Sequence, residues 1–165
     1  MKKYFILILT ICLTVTSTYS QKKSFKIRTV AFYNLENLFD TENDTLINDE
    51  ASPIMEMKAD RELIYQKKLV NMAKVISEIG VKESNNTPVI LGVAEVENRK
   101  ILEDLVANEK LKNTDYSIIH YDSPDLRGID VALLYQAKYF RPTHHESFEL
   151  KIFDTDGARV HTRDQ

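Results

Sequence analysis

Two polar side chains follow apolar, strand-like segments and are placed to do chemistry. Asn34 comes directly after the β-rich segment 26–33, and Glu95 lies near the carboxyl end of the apolar run 89–96. In open sheets, ligands collect at the carboxyl ends of neighbouring strands. A carboxylate there offers the hard anionic oxygen that Mg²⁺ takes from proteins, while water and phosphate fill its other positions. The residues alone are equally consistent with a metal site and with a Glu95 that merely surfaces where its strand leaves the core.

The charge of the chain limits how it could hold an anion. Its 165 residues include 22 Lys and Arg against 25 Asp and Glu, a formal net charge of −3. Nucleic-acid clamps usually carry an excess of basic residues, which displaces phosphate counterions. We therefore expect an anionic ligand to be held through a metal ion or a few arginines. A hydrophobic content of 43% excludes a disordered class.

Two helices are predicted between the strand-like segments. The first begins at Asp60 and ends at Gly80, with apolar residues at helical spacing. The residues of this stripe are Tyr65, Leu69, Met72, Ile76 and Ile79. The second runs from Asn98, a favourable cap, through Lys110. Glu97 precedes that cap, where the helix dipole favours a negative charge.

Three further strands are predicted, over 116–121, 130–135 and 139–153. The acidic segment 36–60 carries eight carboxylates and one lysine without helical or strand period, which is typical of a solvated loop. The resulting order β-α-β-α-β-β-β predicts an α/β or α+β layered sheet with two helices on one face. The segment 158–165 resembles the opening of another strand.

The first twenty residues have the pattern of a signal peptide. Lys2 and Lys3 precede the apolar run 4–15, and small polar residues follow up to Ser20. The run is shorter than the roughly 20 residues needed to span a bilayer, which disfavours a membrane anchor. We expect cleavage after Ser20 and a secreted or periplasmic protein over 21–165, without a membrane span. Since Cys12 leaves with the signal, the exported chain has no cysteine for a disulfide or a nucleophile.

Three segments carry a resemblance to a known family. They are 30–40 (VAFYNLENLFD), 90–98 (ILGVAEVEN) and 125–135 (DLRGIDVALLY), followed by Thr-Arg-Asp at 162–164. In this order and spacing the chain resembles the endonuclease/exonuclease/phosphatase superfamily of metal-dependent phosphoesterases. The resemblance implies the α+β class and half of a four-layer α/β/β/α sandwich. That half would be mostly one mixed sheet with two helices on its outer face.

The resemblance also implies roles for five residues. Glu95 would be the ligand of Mg²⁺ or Mn²⁺, and Asn34 would be a catalytic residue that orients the metal-bound phosphate. Asp130 would be a second catalytic residue. Arg163 and Arg127 would bind the phosphate of the substrate.

The function implied by the resemblance is hydrolysis of phosphate esters, most closely the nuclease-like cleavage of phosphodiesters. In this family water attacks in line while a metal ion stabilises the developing charge. The substrate would be a phosphate ester, with a nucleic acid among the candidates. Alternatives are a phosphatase- or sphingomyelinase-like member and a non-catalytic secreted binding domain. The family's later blocks, a Gly-Asp-Phe-Asn-like motif and a terminal Ser-Asp-His, do not occur in these 165 residues. We therefore expect this chain to be the amino-terminal part of the domain and to be inactive alone.

Two other groups of polar residues have plainer interpretations. Asp40, Glu42 and Asp44 begin like a calcium loop, but Thr45 stands where an EF-hand needs Gly, so a solvated loop is favoured. The pair at 144–145 could supply histidine ligands. Adjacent side chains on a strand point to opposite faces, which instead favours surface histidines.

Overall fold

The computed structural model describes residues 24–160. The predicted signal peptide at 1–20 and the predicted phosphate ligand Arg163 lie outside these residues. Within the described part of the chain, no helix has both the length and the apolar character needed to cross a membrane.

A four-stranded mixed sheet forms the centre of the molecule. Its strands are β1 (Val30–Leu38), β2 (Ile90–Val96), β3 (Tyr116–His120) and β4 (Asp130–Gln136). The spatial order is β1-β2-β4-β3. β1 pairs with β2 in parallel, and the other two pairings are antiparallel. A separate two-stranded ribbon joins β5 (Ile152–Phe153) to β6 (Arg159–Val160).

Helices cover one face of this sheet. They are α1 (Arg61–Glu78), the single turn α2 (Val81–Ser84) and α3 (Arg99–Ala107). The predicted cap of α3 is confirmed, because Asn98 Oδ1 accepts a hydrogen bond from Ile101 N at 3.0 Å. Gly80 ends α1 with a φ of +67°, where a Cβ would lie 2.2 Å from Thr29 Oγ1.

The two faces of the sheet differ in burial. The stripe of α1, the apolar side of α3 and alternate strand residues such as Leu91 and Val93 form one core. On the opposite face Phe32 is 69% exposed. One covered and one open face is compatible with half of a sandwich, and the predicted α+β class is confirmed.

Three predicted boundaries were wrong. β1 does not end at Tyr33 but continues to Leu38 after a shift in register. The long strand over 139–153 is reduced to β5, and Pro142 within it lacks the N–H that a ladder needs. α3 ends at Ala107 rather than Lys110, because the Asn108 side chain accepts from Lys110 N and turns the chain.

The acidic segment 36–60 is also more ordered than a solvated loop. It contains a turn of 3-10 helix, Asp49–Ala51, and buries Phe39, Asp49 and Ile54. The backbone N–H of Asn48 donates to the carbonyl of Leu126, so this loop is tied to the one before β4.

Candidate active site

Glu95 lies in a β-bulge at the carboxyl end of β2. Its neighbours pair with consecutive residues of β4, Ala94 with Val131 and Val96 with Asp130, so Glu95 is the extra residue of the bulge. Its φ is +63°, in the left-handed region that costs a non-glycine residue roughly 1–2 kcal/mol. Bulges redirect side chains next to functional sites. The bulge therefore takes Glu95 out of the alternation that buries its neighbours.

Asn34 lies on the adjacent parallel strand at the same end of the sheet. Its Cα partner is Ala94, the residue before Glu95. Asn34 Oδ1 accepts from Glu36 N at 2.7 Å, which holds the amide in a local turn. The two residues that the sequence placed at neighbouring strand ends are therefore brought together.

Lys68 of α1 belongs to the same end of the sheet, and sequence reasoning missed it. Its Nζ donates to the carbonyls of Glu36 and Asn37, the latter at 2.8 Å. Both of these residues have positive φ, which interrupts the β1–β2 ladder. Burial lowers the pKa of Lys68, and the charges of Glu36 and Glu95 act in the opposite direction. No sequence pattern signals these contacts, because they depend on two left-handed residues in a strand.

Arg127 brings a second cation towards Glu95. Its guanidinium donates two hydrogen bonds, of 3.0 and 2.7 Å, to the buried carboxylate of Asp125. These bonds raise the pKa of Arg127, and the charge of Glu95 adds to the increase. Asp125 thus fixes an arginine whose charge is felt by the predicted metal ligand.

Asp130 is buried beneath the loop that carries Arg127. Its Oδ1 accepts from Ser123 N at 2.8 Å, and its Oδ2 lies 2.9 Å from His120 Nε2. The hydroxyl of Ser123 in turn donates to the carbonyl of Ile129. These are the contacts of a residue that positions the loop, and a catalytic role for Asp130 stays a prediction.

Glu97 is buried beside the acidic loop rather than lying free at the helix end. Its Oε2 accepts from Asp40 N at 2.9 Å. Burial raises its pKa to about 7, and the charges of Asp40, Asp49 and Asp44 add to the increase.

The carboxylates of the suspected calcium loop accept hydrogen bonds from backbone N–H groups of the same loop. Asp40 Oδ1 accepts from Glu42 N, and Asp44 Oδ1 accepts from Leu46 N. Among residues 24–160, the one cluster of His and carboxylate groups compact enough for a metal ion is His120, Asp122 and Asp130. The calcium-loop residues are not part of that cluster.

An apolar groove of about 500 Å³ lies on the open face of the sheet. Phe32 and Leu133 line it from the strands, and Phe148 closes it from the segment after β4. At the rim of the groove, the hydroxyl of Tyr121 is hydrogen-bonded to the ring Nδ1 and to the backbone carbonyl of His145. This is the face that the helices leave uncovered.

Comparison with known proteins gives one match. A family model described as the endonuclease/exonuclease/phosphatase family matches residues 29–165. No curated protein and no solved structure matches the chain.

Proposed function

Because the chain belongs to the endonuclease/exonuclease/phosphatase family, we propose that it serves divalent-metal-dependent hydrolysis of phosphate esters, with Glu95 as the metal ligand. Within this class of reaction, the favoured one is nuclease-like cleavage of a phosphodiester, with Mg²⁺ or Mn²⁺ as the bound ion. Export through residues 1–20 belongs to the same proposal. The observation that carries it is the bulge that sets Glu95 apart at the end of β2, beside Asn34.

The donor groups at this end of the sheet fit a hard divalent cation. Mg²⁺ is usually held by one or two carboxylates, and its remaining positions go to water and substrate phosphate. Glu95 supplies one carboxylate, and the neighbouring Asn34 supplies an amide oxygen that can accept more than one hydrogen bond. A bound ion would stabilise the charge that develops on the phosphoryl oxygens.

The cations around Glu95 supply positive charge for a phosphate, which the acidic chain otherwise lacks. Arg127 has guanidinium N–H groups beyond the two that bond Asp125, and these can donate to phosphate oxygens. Lys68 is fixed by two backbone carbonyls and adds positive charge beside the β1–β2 ends. Two positioned cations and a metal site replace a broad basic surface, in agreement with the net charge of −3.

Metal binding and turnover test this proposal separately. Mn²⁺ binding to the chain is measured by electron paramagnetic resonance for the wild type, Glu95→Gln and the control Glu78→Gln, an exposed residue near the end of α1. We expect Glu95→Gln to weaken Mn²⁺ binding and Glu78→Gln to leave it unchanged. Equal Mn²⁺ affinity in all three proteins would contradict the role of Glu95.

Turnover is measured on the product of the complete gene with bis-p-nitrophenyl phosphate and Mg²⁺. Removing a group that stabilises transition-state charge costs roughly a hundredfold or more, and we expect that loss for Glu95→Gln. Residues 21–165 alone are expected to show no turnover. A complete gene product that binds Mn²⁺ through Glu95 yet hydrolyses no phosphate ester would favour the binding-domain alternative.

A further inference from the structure

The two ring nitrogens of His120 face two different carboxylates. Nε2 lies 2.9 Å from Asp130 Oδ2, and Nδ1 lies 3.9 Å from Asp122 Oδ1. The side chains of His120 and Asp130 are each only 4% exposed, whereas that of Asp122 is 95% exposed. One nitrogen therefore meets a buried partner, and the other faces a carboxylate at the surface.

The buried contact decides which nitrogen carries the proton. A separation of 2.9 Å to a carboxylate oxygen is a hydrogen bond, so the neutral ring carries its proton on Nε2. Asp130 cannot turn away easily, because its other oxygen accepts from Ser123 N. The lone pair of Nδ1 is thereby directed towards Asp122. Metal-binding histidines characteristically donate their second ring N–H to a carboxylate in this manner.

The distance on the other side of the ring suits an ion rather than a hydrogen bond. At 3.9 Å, Nδ1 and the Asp122 oxygen are too far apart to bond directly. Two ligands of a tetrahedral zinc ion, each 2.0–2.1 Å from the metal, lie about 3.4 Å apart. An exposed aspartate can close the remaining few tenths of an ångström. Its exposure also leaves room for water in the other coordination positions.

We propose that His120 Nδ1 and the carboxylate of Asp122 bind a divalent transition-metal ion of the Zn²⁺ type, with Asp130 orienting the imidazole. Imidazole with carboxylate favours such an ion over Mg²⁺, which prefers oxygen ligands alone. The site shares no ligand with Glu95. It lies close by, because Asp130 is the Cα partner of Val96. The proposal does not depend on the proposed hydrolysis.

Calorimetric titration of the full chain with Zn²⁺ tests the ligands. Asp122→Asn removes the exposed ligand, and Asp156→Asn is a matched control, an exposed aspartate in the turn before β6. We expect Asp122→Asn to lower Zn²⁺ affinity at least about tenfold, the scale on which such sites respond to loss of a single supporting group. Asp156→Asn should leave the affinity within about twofold of the wild type. Thermal unfolding of each variant shows that it is folded.

Nitrogen-detected NMR of the imidazole supplies a readout that unfolding or a distant site would not mimic. Without metal, we expect the neutral ring of His120 to carry its proton on Nε2, and Zn²⁺ should shift its Nδ1 resonance. Two results would each overturn the proposal: Zn²⁺ affinity unchanged in Asp122→Asn, or a ring that stays protonated at both nitrogens in the presence of Zn²⁺. The last would identify an imidazolium held between two carboxylates.

Discussion

The backbone of Glu95 lowers the stability of the fold, whereas its carboxylate is the group proposed to bind a metal ion. A φ of +63° is costly for any residue with a Cβ, and glycine adopts it without that cost. A strained backbone at a strand end is maintained only because the surrounding pairings over-determine it. Here those pairings are Ala94 with Val131 and Val96 with Asp130. The strain at Glu95 is consistent with a carboxylate retained for its chemistry rather than for stability.

Comparing Glu95→Gly with Glu95→Ala isolates this strain. Both variants lose the carboxylate, and only alanine keeps the Cβ that disfavours the left-handed region. We expect Glu95→Gly to exceed Glu95→Ala in free energy of unfolding by about 1 kcal/mol. Urea denaturation of the two proteins measures the difference. If alanine were the more stable of the two, Glu95 would not be left-handed in solution.

At the scale of elements, one hydrogen bond ties the two long helices together. The hydroxyl of Tyr65 in α1 donates to Asp104 Oδ2 of α3 at 2.9 Å. Burial raises the pKa of Tyr65, and the hydrogen bond and charge of Asp104 raise it further. A tyrosine with a raised pKa in the folded state keeps its proton where the unfolded chain has lost it. Its stabilising contribution is therefore complete below the unfolded pKa of 10 and declines as the pH rises above it.

Tyr65→Phe should remove this alkaline dependence. Above pH 10 we expect the free energy of unfolding of the wild type to fall by up to about 1.4 kcal/mol per pH unit more steeply than that of Tyr65→Phe. Below that pH the variant should be less stable by about 1 kcal/mol, the contribution of one hydrogen bond. Denaturation at a series of pH values measures both effects, and Tyr139→Phe, at an exposed tyrosine, is the control. Parallel pH curves for wild type and Tyr65→Phe would refute the prediction.

The junction between α1 and the chain entering β1 is a second element-scale feature. A Cβ on Gly80 would lie within 3 Å of three side-chain atoms of Thr29, whereas one on Gly157 would meet nothing within 4 Å. Both glycines have positive φ. Each alanine variant should therefore lose about 1–2 kcal/mol through its backbone. Gly80→Ala should lose a further 1–3 kcal/mol, roughly, through the clash. If urea denaturation gave equal losses of free energy of unfolding for the two variants, the side chain of Thr29 would move aside at no energetic cost.

The sequence predicted those elements whose pattern is local. The apolar stripe of α1, its end at Gly80 and the Asn98 cap need only residues within a few positions of one another. The strand over 139–153 was wrong because β-rich composition does not show whether a neighbouring strand offers bonds. The acidic loop buries Asp49 and is tied to Leu126 by the backbone N–H of Asn48, a contact distant in sequence that composition does not show.

In the candidate site, too, some features could be predicted from sequence patterns and others depend on the three-dimensional geometry. Asn34 and Glu95 could be predicted to meet, because parallel strands place their carboxyl ends together. The bulge at Glu95 and the reach of Lys68 to β1 depend on backbone geometry that no residue pattern specifies. His120 was missed although a signal exists. His120 and Asp122 are two residues apart at a strand end, a spacing that places side chains on the same face.

At the scale of the whole molecule, the sheet has two faces with different consequences for solution behaviour. Leu35 and Phe32 lie three residues apart on β1, and they are 0% and 69% exposed. The Phe32 side is apolar and includes the groove of about 500 Å³. Exposed apolar patches of this kind promote association. The 165-residue chain should therefore associate through the open face while drawing its stability from the covered one.

Substituting threonine at each position separates the two effects, because threonine keeps strand propensity and removes most of the apolar surface. We expect Phe32→Thr to change the free energy of unfolding by less than about 1 kcal/mol, as surface substitutions do, and to reduce association in sedimentation velocity. Leu35→Thr should cost about 2–5 kcal/mol, as large-to-small changes in a core do, without lowering association of the folded fraction. If Phe32→Thr destabilised the chain as much as Leu35→Thr, the open face would be covered in solution.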